Sequence, residues 1–415
     1  MNPLGDYFVK GDTKSYKELC DCFIDLERYA NDGSPSGFNK GIAPEYHPFN
    51  NKKHFKLPVY LCRRLDHVQI GNLPDFFEAE FINENKLPVP VHPQVLSAIL
   101  SSCPSLASKK QTTIKVQPTS SGRTVLWDDT KKPHYIKLHF PKIIGRFPRD
   151  LSIYKWLSSL EKSKEFYFHC KNFPPTTGFL YDFGGIFYND KVTNTGFGTI
   201  FREFTPRPIL PPKSKLLLPA FSLIARSNKR GYDNNLLKCI IDCIGVDPHL
   251  FVSLFISPLL DSYLYLSIEL GLIPECNAQN VLFEFDIEEL KTRVVFRDLG
   301  DAFVDFEVRN GKKLHTMFCS YKSLDGVFGK DIFERRSFAY DFKLSHYIFK
   351  PLIQRYSEIT QISFKSLCNQ VKDLFHAKFD GSESYFGSND YWYSYPKENN
   401  VGRGRYIKNR NPSFR

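Results

Sequence analysis

The sequence predicts an α+β protein in which an antiparallel sheet region is followed by a mainly helical region. Between residues 91 and 212, strand-like runs alternate with turns, which is typical of antiparallel strands. Residues 213–415 show mainly helical periodicity around one predicted β-hairpin at residues 280–298. The Pro-rich segment 206–212 indicates a stiff linker between the two regions. We therefore expect a cleft where the sheet meets the helices.

The chain length of 415 residues allows two or three domains. Residues 1–90 mix short apolar runs with loops that contain Pro and Gly, and they predict a small N-terminal domain. Residues 91–212 predict a β-rich domain, and residues 213–415 predict a helical domain. The predicted strands are 112–117, 134–140, 165–169 and 198–204, and the predicted helices include 331–357 and 360–379.

The most apolar stretch of the chain, residues 250–274, predicts a buried helix. Ser257-Pro258 has the residue types of an N-cap and a first helical residue, and Gly271 is typical of a helix end. Charged residues such as Asp261 interrupt the apolar run, so we do not expect it to span a membrane.

The formal net charge of +11 raises the question of anionic partners. Residues 397–415 contain six Lys or Arg against the single acid Glu398, a net charge of five. A basic tail is most often a solvated end. The next interpretation is that its electric field attracts small polyanionic molecules. No recognisable nucleic-acid-binding module accompanies the charge, so we expect no nucleic-acid partner.

The ten cysteines indicate no metal or disulfide framework, because no CxxC pair or zinc-ligand spacing occurs. Residues 1–12 lack the basic start and apolar core of a secretory signal. We therefore expect reduced thiols and a cytoplasmic location.

Residues 274–303 combine a polar cluster with two apolar runs, 281–287 and 293–298. If these runs pair antiparallel, Asn280 lies opposite Asp298 at one rim of the hairpin. A carboxamide oxygen and a carboxylate suit Mg²⁺, which takes oxygen ligands and is shared with substrate phosphates. A purely structural hairpin with polar ends is the alternative.

A second polar cluster lies far upstream, in residues 117–124, with the sequence QPTSSGRT. Its hydroxyl groups and Gly122 predict a tight turn whose backbone N–H groups are able to wrap a phosphate. Arg123 adds a bidentate donor, and Lys137 adds a compact charge on a following strand. The alternative is an ordinary surface turn, but the presence of both clusters favours a nucleotide site.

The order of these motifs resembles that of the IucA/IucC family, the siderophore synthetases that work without a peptide synthetase. The matching residues are Val89–Pro93 (P-V-H-P), Ser121, Arg123 and Thr124 (S-x-R-T), Lys137 and Arg149 twelve residues apart, Arg202-Glu203, Glu275, Gln279 and Asn280 (E-x-H-x-Q-N), Arg297-Asp298 and Asn411-Pro412. The resemblance covers roughly residues 85–415.

Four features depart from the family pattern. Asn277 stands where the family has His, and Gln94-Val95 replaces a frequent Trp-Gln. The family's N-terminal H-P-x-x-K element has only a weak counterpart here, His47-Pro48 followed by Lys52 or Lys53. The chain is also short for the family, and the missing mass lies ahead of His92, so residues 1–90 are interpreted as a reduced N-terminal domain.

The resemblance implies an ATP- and Mg²⁺-dependent, AMP-forming ligase of siderophore biosynthesis. Such an enzyme activates a citrate-like polycarboxylic acid as an acyl adenylate and condenses it with an amine or alcohol. ATP would lie between the β-rich nucleotide-binding domain and the helical, palm-like domain. The implied partners are these small molecules, without nucleic acid or membrane, and a homodimer is compatible with them.

The resemblance also assigns roles to individual residues. The implied ATP-binding residues are Ser121, Arg123, Thr124, Lys137 and Gln279; the catalytic residues are Lys137, Arg149 and Glu275; the metal ligands are Asn280 and Asp298; and the substrate contacts are His92 and Arg149. For His92, a histidine without function in a loop is an equal alternative. Arg202-Glu203 and Arg297 are interpreted preferentially as a structural ion-pair network.

Two other functions stay open. Glu275 lies five residues before Asn280. This spacing resembles the one between the catalytic Asp and the Mg²⁺-binding Asn of protein kinases. A phosphotransferase is therefore an alternative, although no H-R-D, D-F-G or GxxxxGK[ST] motif occurs. The third alternative is a degenerate, non-catalytic nucleotide-binding protein of the same fold, because of Asn277 and the short N-terminal region.

Overall fold

In this computed structural model the described residues are 5–8, 15–32, 41–49, 52–75, 77, 86–127, 133–145, 147–210, 215–226, 236–314, 323–326, 331–387, 391–395, 405–409 and 412–415. The strands are β1 Phe55–Arg63, β2 His67–Gly71, β3 Lys86–Pro90, β4 Lys110–Pro118, β5 Thr124–Trp127, β6 His134–Lys137, β7 Phe140–Ile144, β8 Phe147–Arg149, β9 Thr177–Phe179, β10 Asp182–Asp190, β11 Thr195–Glu203, β12 Lys215–Pro219, β13 Leu272–Ile273, β14 Val281–Asp286, β15 Lys291–Phe296, β16 Phe303–Val304, β17 Tyr391–Tyr395 and β18 Arg405–Asn409.

Two sheets organise the molecule. The larger sheet has eight strands in the order β2-β10-β11-β6-β5-β4-β1-β3, and all neighbouring strands in it are antiparallel. The smaller sheet has the order β12-β14-β15-β9, in which only β15 and β9 are parallel. The predicted antiparallel sheet region is therefore present, and the α+β fold class is confirmed.

The larger sheet also crosses the domain boundary predicted at residue 90. Three of its eight strands, β1, β2 and β3, come from the first 90 residues. β1 lies between β3 and β4 and hydrogen-bonds to both, so these residues complete the sheet instead of forming a separate layer.

The helices are α1 Tyr16–Tyr29, α2 Leu96–Ser102, α3 Ile153–His169, α4 Ala220–Ile224, α5 Leu236–Ile244, α6 Pro248–Glu269, α7 Phe306–Gly311, α8 Ile332–Ser337, α9 Lys350–Thr360, α10 Phe364–Lys378 and α11 Ser382–Phe386. A π-helical segment, Phe338–Phe349, connects α8 to α9 and makes one long helix of the predicted span 331–357. α10 matches the predicted helix 360–379.

Helix α6 begins at Pro248, ten residues before the predicted first helical residue, Pro258. Asp247 caps it by accepting a hydrogen bond from the backbone N–H of Leu250. Pro258 therefore lies inside the helix, where proline normally breaks the hydrogen-bond ladder. A π-helical turn over Val252–Ile256 precedes it and accommodates the missing bond. Gly271, with a φ of 58°, follows the helix as predicted.

Length and composition alone would allow α6 to span a membrane, and it is the one helix of the described ranges for which this is so. Its most apolar window is, however, 67% buried inside the protein. Leu259, Tyr263 and Leu266 are completely buried in the largest hydrophobic cluster. α6 is therefore the core helix that the sequence predicted.

The predicted strand 165–169 is wrong, because these residues form the last turns of helix α3. Leu160, Ser163 and Phe166 are buried along α3 at intervals of three residues, which suits one face of a helix. The aromatic run Phe166-Tyr-Phe168 has β propensity, but tertiary packing of the longer helical pattern overrides it.

Helix α1 lies between the two sheets. Phe23 and Ile24 pack in one buried cluster with Leu126 and Tyr135 of the larger sheet and with Leu282 and Val295 of the smaller one. Ser15 begins the helix with a capping box, in which it exchanges hydrogen bonds with Glu18. A helix from the predicted N-terminal domain thus joins the β-rich and helical regions.

The predicted basic tail, residues 397–415, falls largely outside the described residues. Its last residue is not solvated, because the Arg415 side chain is buried against Asp341 and lies over the ring of Phe386. Phe414 packs against Phe349 in the largest hydrophobic cluster.

Candidate functional site

The predicted hairpin is formed by β14 and β15, with one change in its register. Val281 pairs with Phe296, and the backbone N–H of Arg297 donates to the carbonyl of Asn280 at 2.9 Å. The partner of Asn280 is therefore Arg297, and the predicted pairing with Asp298 is off by one residue. Asp298 has left the strand, with a left-handed φ of 63°, and begins the turn that follows.

Three cations surround the carboxylate of Asp298. Its Oδ1 accepts from Lys137 Nζ at 2.5 Å and from Arg202 Nη2 at 2.8 Å. Burial would raise the pKa of Asp298, but the charges of Lys137, Arg202 and Arg123 outweigh it and hold this pKa well below its usual range. Asp298 is thus ionised near neutral pH, and its side chain keeps 27% of its surface exposed.

The upstream cluster forms the tight turn that the sequence predicted, between β4 and β5. Gly122 has a φ of 70°, and its N–H donates to the Thr119 carbonyl at 3.2 Å. A side chain at this position would also collide with Ile42, so the turn requires glycine. Ser121 Oγ donates to Thr124 Oγ1 at 3.1 Å, which brings two predicted ATP-binding hydroxyl groups together.

The cations predicted upstream converge on the same place. β6 carries Lys137 opposite Thr124 of β5. Arg123 Nη1 donates to the backbone carbonyl of Arg149 at 2.7 Å, which ties the turn to β8. Burial lowers the pKa of Arg123, and the charge of Asp298 opposes this effect. The half-buried Arg149 therefore contributes its carbonyl to the site, as well as a nearby charge.

The polar cluster before β14 is organised by Asn277. Its Oδ1 accepts from the backbone N–H groups of Gln279 at 2.9 Å and Asn280 at 3.0 Å. Asn280 Nδ2 donates to Glu275 at 3.4 Å, and the other oxygen of Glu275 accepts from Lys343 at 3.1 Å. The residue that departs from the family pattern therefore shapes the backbone on which two predicted site residues lie.

These groups line two cavities that meet at the pair of Lys137 and Asp298. One is lined by Thr119, Ser121, Thr124, Tyr135, Arg202, Gln279, Arg297 and Asp298. The other, of about 260 Å³, is lined by Arg123, Lys137, Asp150, Leu151, Tyr154, Lys155, Ser158, Ser159, Gly300 and Asp301. Four of the predicted site residues thus line the first cavity, which has a volume of about 10 Å³, and two line the second.

His92 does not line either of these two cavities. It is completely buried, and its ring packs against Tyr46, Phe55 and Phe140. Its Nδ1 accepts from the backbone N–H of Gln94 at 3.2 Å, and burial lowers its pKa to about 3. In this structure the predicted substrate contact is a neutral histidine in an aromatic cluster, away from the open cleft.

The three residues interpreted as a structural network have different roles. Arg202 binds Asp298 directly and also pairs with the buried Asp182 at 2.5 Å, so it belongs to the site. Glu203 instead pairs with Arg207 at 2.6 Å. Arg297 Nε donates to the Gln279 carbonyl at 2.7 Å, and its Nη1 lies 2.7 Å from the carboxylate of Glu27.

Sequence reasoning missed Glu27, Asp182 and Lys343. No local signal identifies them, because each reaches the site across a long sequence separation: Glu27 to Ser120, and Lys343 to Glu275. Arg202 was part of a motif but was interpreted as structural. Because Arg202 and Glu203 are neighbours on β11, their side chains point to opposite faces of the sheet, which would have separated their two roles.

No protein-family model matches the chain, and no curated protein sequence matches it significantly. Solved structures do match. The ATP-bound aerobactin synthetase IucA from a hypervirulent pathotype of Klebsiella pneumoniae superposes with a TM-score of 0.69 at 15% identity, covering 96% of this chain and 80% of that one. The petrobactin biosynthesis protein AsbB from Bacillus anthracis str. Sterne gives 0.67 at 15% identity, covering 98% and 76%.

The aerobactin synthetase IucC from the same Klebsiella pathotype gives a TM-score of 0.65 at 16% identity, covering 92% of this chain and 76% of that one. The chain therefore has the fold of these siderophore synthetases, as the order of its motifs implied.

Proposed function

From this fold and the composition of the cleft, we propose that the protein is an ATP- and Mg²⁺-dependent ligase of siderophore biosynthesis. It activates a citrate-like polycarboxylic acid as an acyl adenylate and then condenses it with an amine or alcohol. The observation that carries the proposal is the convergence of Lys137, Arg123 and Arg202 on Asp298, beside a hydroxyl-rich turn.

The excess of positive charge at this place argues for an anionic ligand. One carboxylate, Asp298, faces three cations. Arg202 also pairs with the buried Asp182, and the charges of Asp301 and Asp150 also act on Arg123. In the part of the chain that the structure describes, Lys137 pairs with Asp298 alone. Buried cations without matching anions are costly, and bound phosphates would offset that cost. ATP supplies such a charge, and the ATP complex of the similar IucA structure agrees with this assignment.

In the proposed first step, a carboxylate oxygen of the acid attacks the α-phosphorus of ATP and the bond to pyrophosphate breaks. Negative charge builds up on the phosphate oxygens, where Lys137, Arg123 and Arg149 donate. Ser121 and Thr124 hold the phosphates, and Gln279 faces the nucleotide. In the second step, an amine or hydroxyl attacks the acyl carbon, AMP leaves with the bonding electrons, and the nucleophile loses a proton.

The residues present fit a Mg²⁺ ion. Both hydrogen bonds to the Asp298 carboxylate use Oδ1, so Oδ2 accepts no hydrogen bond from the described residues. Asn280 donates through Nδ2, which leaves its Oδ1 as an acceptor. Two oxygens with few protein partners suit a cation that keeps waters and shares substrate phosphates. When bound, Mg²⁺ would neutralise charge on the transferring phosphate. Glu275 positions Asn280.

The direct test is exchange of labelled pyrophosphate into ATP in the presence of a panel of polycarboxylic acids. We expect exchange that depends on one acid and on Mg²⁺, and release of AMP after an amine or alcohol is added. Formation of ADP and phosphate instead would favour the phosphotransferase.

A second candidate function is nucleotide binding without catalysis, and Asn277 is the observation that favours it. Its amide cannot exchange a proton near neutral pH as an imidazole can. ATP binding in a titration, without exchange for any acid of the panel, would favour this function over the ligase.

A further inference from the structure

Glu27 is a buried acid on α1 that the proposed reaction does not use. Its side chain is 2% exposed, although it lies in the last turn of a helix. Carboxylates are disfavoured at the C-terminal end of a helix, where the helix dipole is negative. The position of Glu27 therefore requires partners from other parts of the chain.

Those partners come from both halves of the site. Glu27 Oε2 accepts from Ser120 Oγ at 2.6 Å and from the Ser120 backbone N–H at 3.2 Å. Glu27 Oε1 lies 2.7 Å from Arg297 Nη1. Ser120 immediately precedes Ser121 in the phosphate-binding turn, and Arg297 immediately precedes Asp298. One carboxylate thus joins the two elements that carry the proposed ATP and metal contacts.

Arg297 extends this link to the polar cluster before β14. Its Nε donates to the Gln279 carbonyl, and its backbone N–H donates to the Asn280 carbonyl. The helix that carries Glu27 is held between the two sheets by Phe23 and Ile24, so the carboxylate has a rigid base. Motion of Glu27 would therefore displace the turn and the hairpin relative to each other.

We propose that Glu27 is a positioning residue that sets the distance between the phosphate-binding turn and the 280–298 hairpin. The inference rests on the proposed function. A displacement of about 1 Å between reacting groups can lower the reaction rate by roughly 10²-fold. The N-terminal helix is then part of the machinery of the site.

The test compares Glu27→Gln with Glu284→Gln. Glu284 is a matched control, because it is also buried and pairs with an arginine, Arg293, at 2.6 Å. It lies on the same hairpin, but its pair contacts Pro208 and none of the predicted site residues. Both variants remove one buried negative charge, so both should lower the thermal midpoint.

Only Glu27→Gln should change the site. We expect pyrophosphate exchange to fall roughly 10–100-fold with a raised KM for ATP, and Glu284→Gln to stay within about twofold of wild type. Equal changes in KM and rate for the two variants would show that Glu27 only stabilises the fold.

A second measurement does not need activity. Hydrogen exchange of peptides covering residues 117–127 and 275–298 should become faster in Glu27→Gln, because the amide has only one acceptor oxygen and can no longer serve both Ser120 and Arg297. In Glu284→Gln the first peptide should keep its wild-type protection. Unchanged exchange of both peptides in Glu27→Gln would overturn the positioning role, even if the wild-type protein proves to be no ligase.

Ser120→Ala supplies a milder variant in case Glu27→Gln does not fold. It removes one hydroxyl donor and keeps the contact with Arg297. We expect a smaller loss of exchange rate, and the double variant should lose less than the product of the two single losses because both act through one contact. Independent, multiplicative losses would contradict a shared positioning role.

Discussion

Two aspartates of this protein, the half-buried Asp298 and the buried Asp341, have opposite electrostatic environments. Asp298 in the cleft faces Lys137, Arg202 and Arg123, which hold its pKa well below the usual range against the effect of burial. Asp341 in the helical region pairs with one cation among the described residues, Arg415 at 2.9 Å, and accepts from Ser337 at 2.8 Å. Burial outweighs that single partner and raises the pKa of Asp341.

The difference separates a binding site from a structural contact. At Asp341 the charges balance one to one, and both side chains are at most 4% exposed, so no further ion is required. At Asp298 the cations exceed the acid, and the carboxylate remains partly exposed. Surplus charge beside an opening is a feature of ligand sites, whereas closed and balanced pairs serve the fold.

The strongest test of this comparison replaces each aspartate by asparagine. Asp298→Asn should lower pyrophosphate exchange by about 10³-fold, because a metal ligand and the partner of two cations are lost together. Its unfolding free energy should also fall by roughly 3 kcal/mol, since Lys137 and Arg202 lose their shared acid. Exchange assays and denaturant titrations measure the two effects.

Asp341→Asn is the control for this test. Its exchange rate should remain within about twofold of wild type, although its stability should also fall, because the buried Arg415 loses its acid. An active Asp298→Asn protein with ordinary Mg²⁺ dependence would remove Asp298 from the site.

The next test compares a cleft arginine with a structural arginine. Arg123→Ala should lower the rate by about 10²–10³-fold and weaken ATP binding, with little change in thermal midpoint. Arg336→Ala should instead lower the thermal midpoint and leave the rate and ATP binding nearly unchanged. The reason is that Arg336 pairs with the completely buried Asp305 at 2.8 Å. Activity and melting of both variants check this. A melting shift for Arg123→Ala as large as that of Arg336→Ala would mean that Arg123 holds the fold.

The dependence of stability on pH should have opposite signs at the two aspartates. An unfolded Asp has a pKa of about 3.9. Asp298 has a lower folded-state pKa, so it stabilises the protein above this value, and the contribution is lost as pH falls through the folded pKa. Asp341 has a raised folded pKa, so its ionisation weakens folding as pH rises through that pKa.

Melting of the wild type and both asparagine variants between about pH 3 and pH 7 measures these contributions. The advantage of wild type over Asp298→Asn should grow with pH, while its advantage over Asp341→Asn should shrink. If the thermal midpoints of the two variants changed with pH in parallel, the electrostatic environments of Asp298 and Asp341 would not differ.

The smallest effect is expected for Asn277→His. Asn277 uses its oxygen to hold the backbone of Gln279 and Asn280. A neutral imidazole nitrogen is able to accept a backbone N–H in the same way, as His92 does from Gln94. Pyrophosphate exchange should therefore stay within about tenfold of wild type. A gain of several orders of magnitude would instead indicate that the natural chain is a degenerate synthetase.

Local patterns were sufficient for much of the fold. The hairpin of β14 and β15, the glycine turn at Gly122 and helix α10 follow from residue propensities over short stretches. Errors arose where packing overrides propensity. Residues 165–169 continue helix α3 although they are aromatic, and Pro258 lies inside α6 because a π-helical turn precedes it.

The sequence by itself determined which chemical groups the site contains and in which order they occur, because motif residues are next to one another in the chain. Only the tertiary structure decided which of them meet. Lys137 reaches Asp298 across 161 residues, and Ser120 reaches Glu27 across 93. These contacts depend on how α1 packs between the two sheets, and no residue period records that packing. Contacts with Tyr46, Phe55 and Phe140 likewise bury His92 among aromatic rings, although its motif resembled a substrate contact.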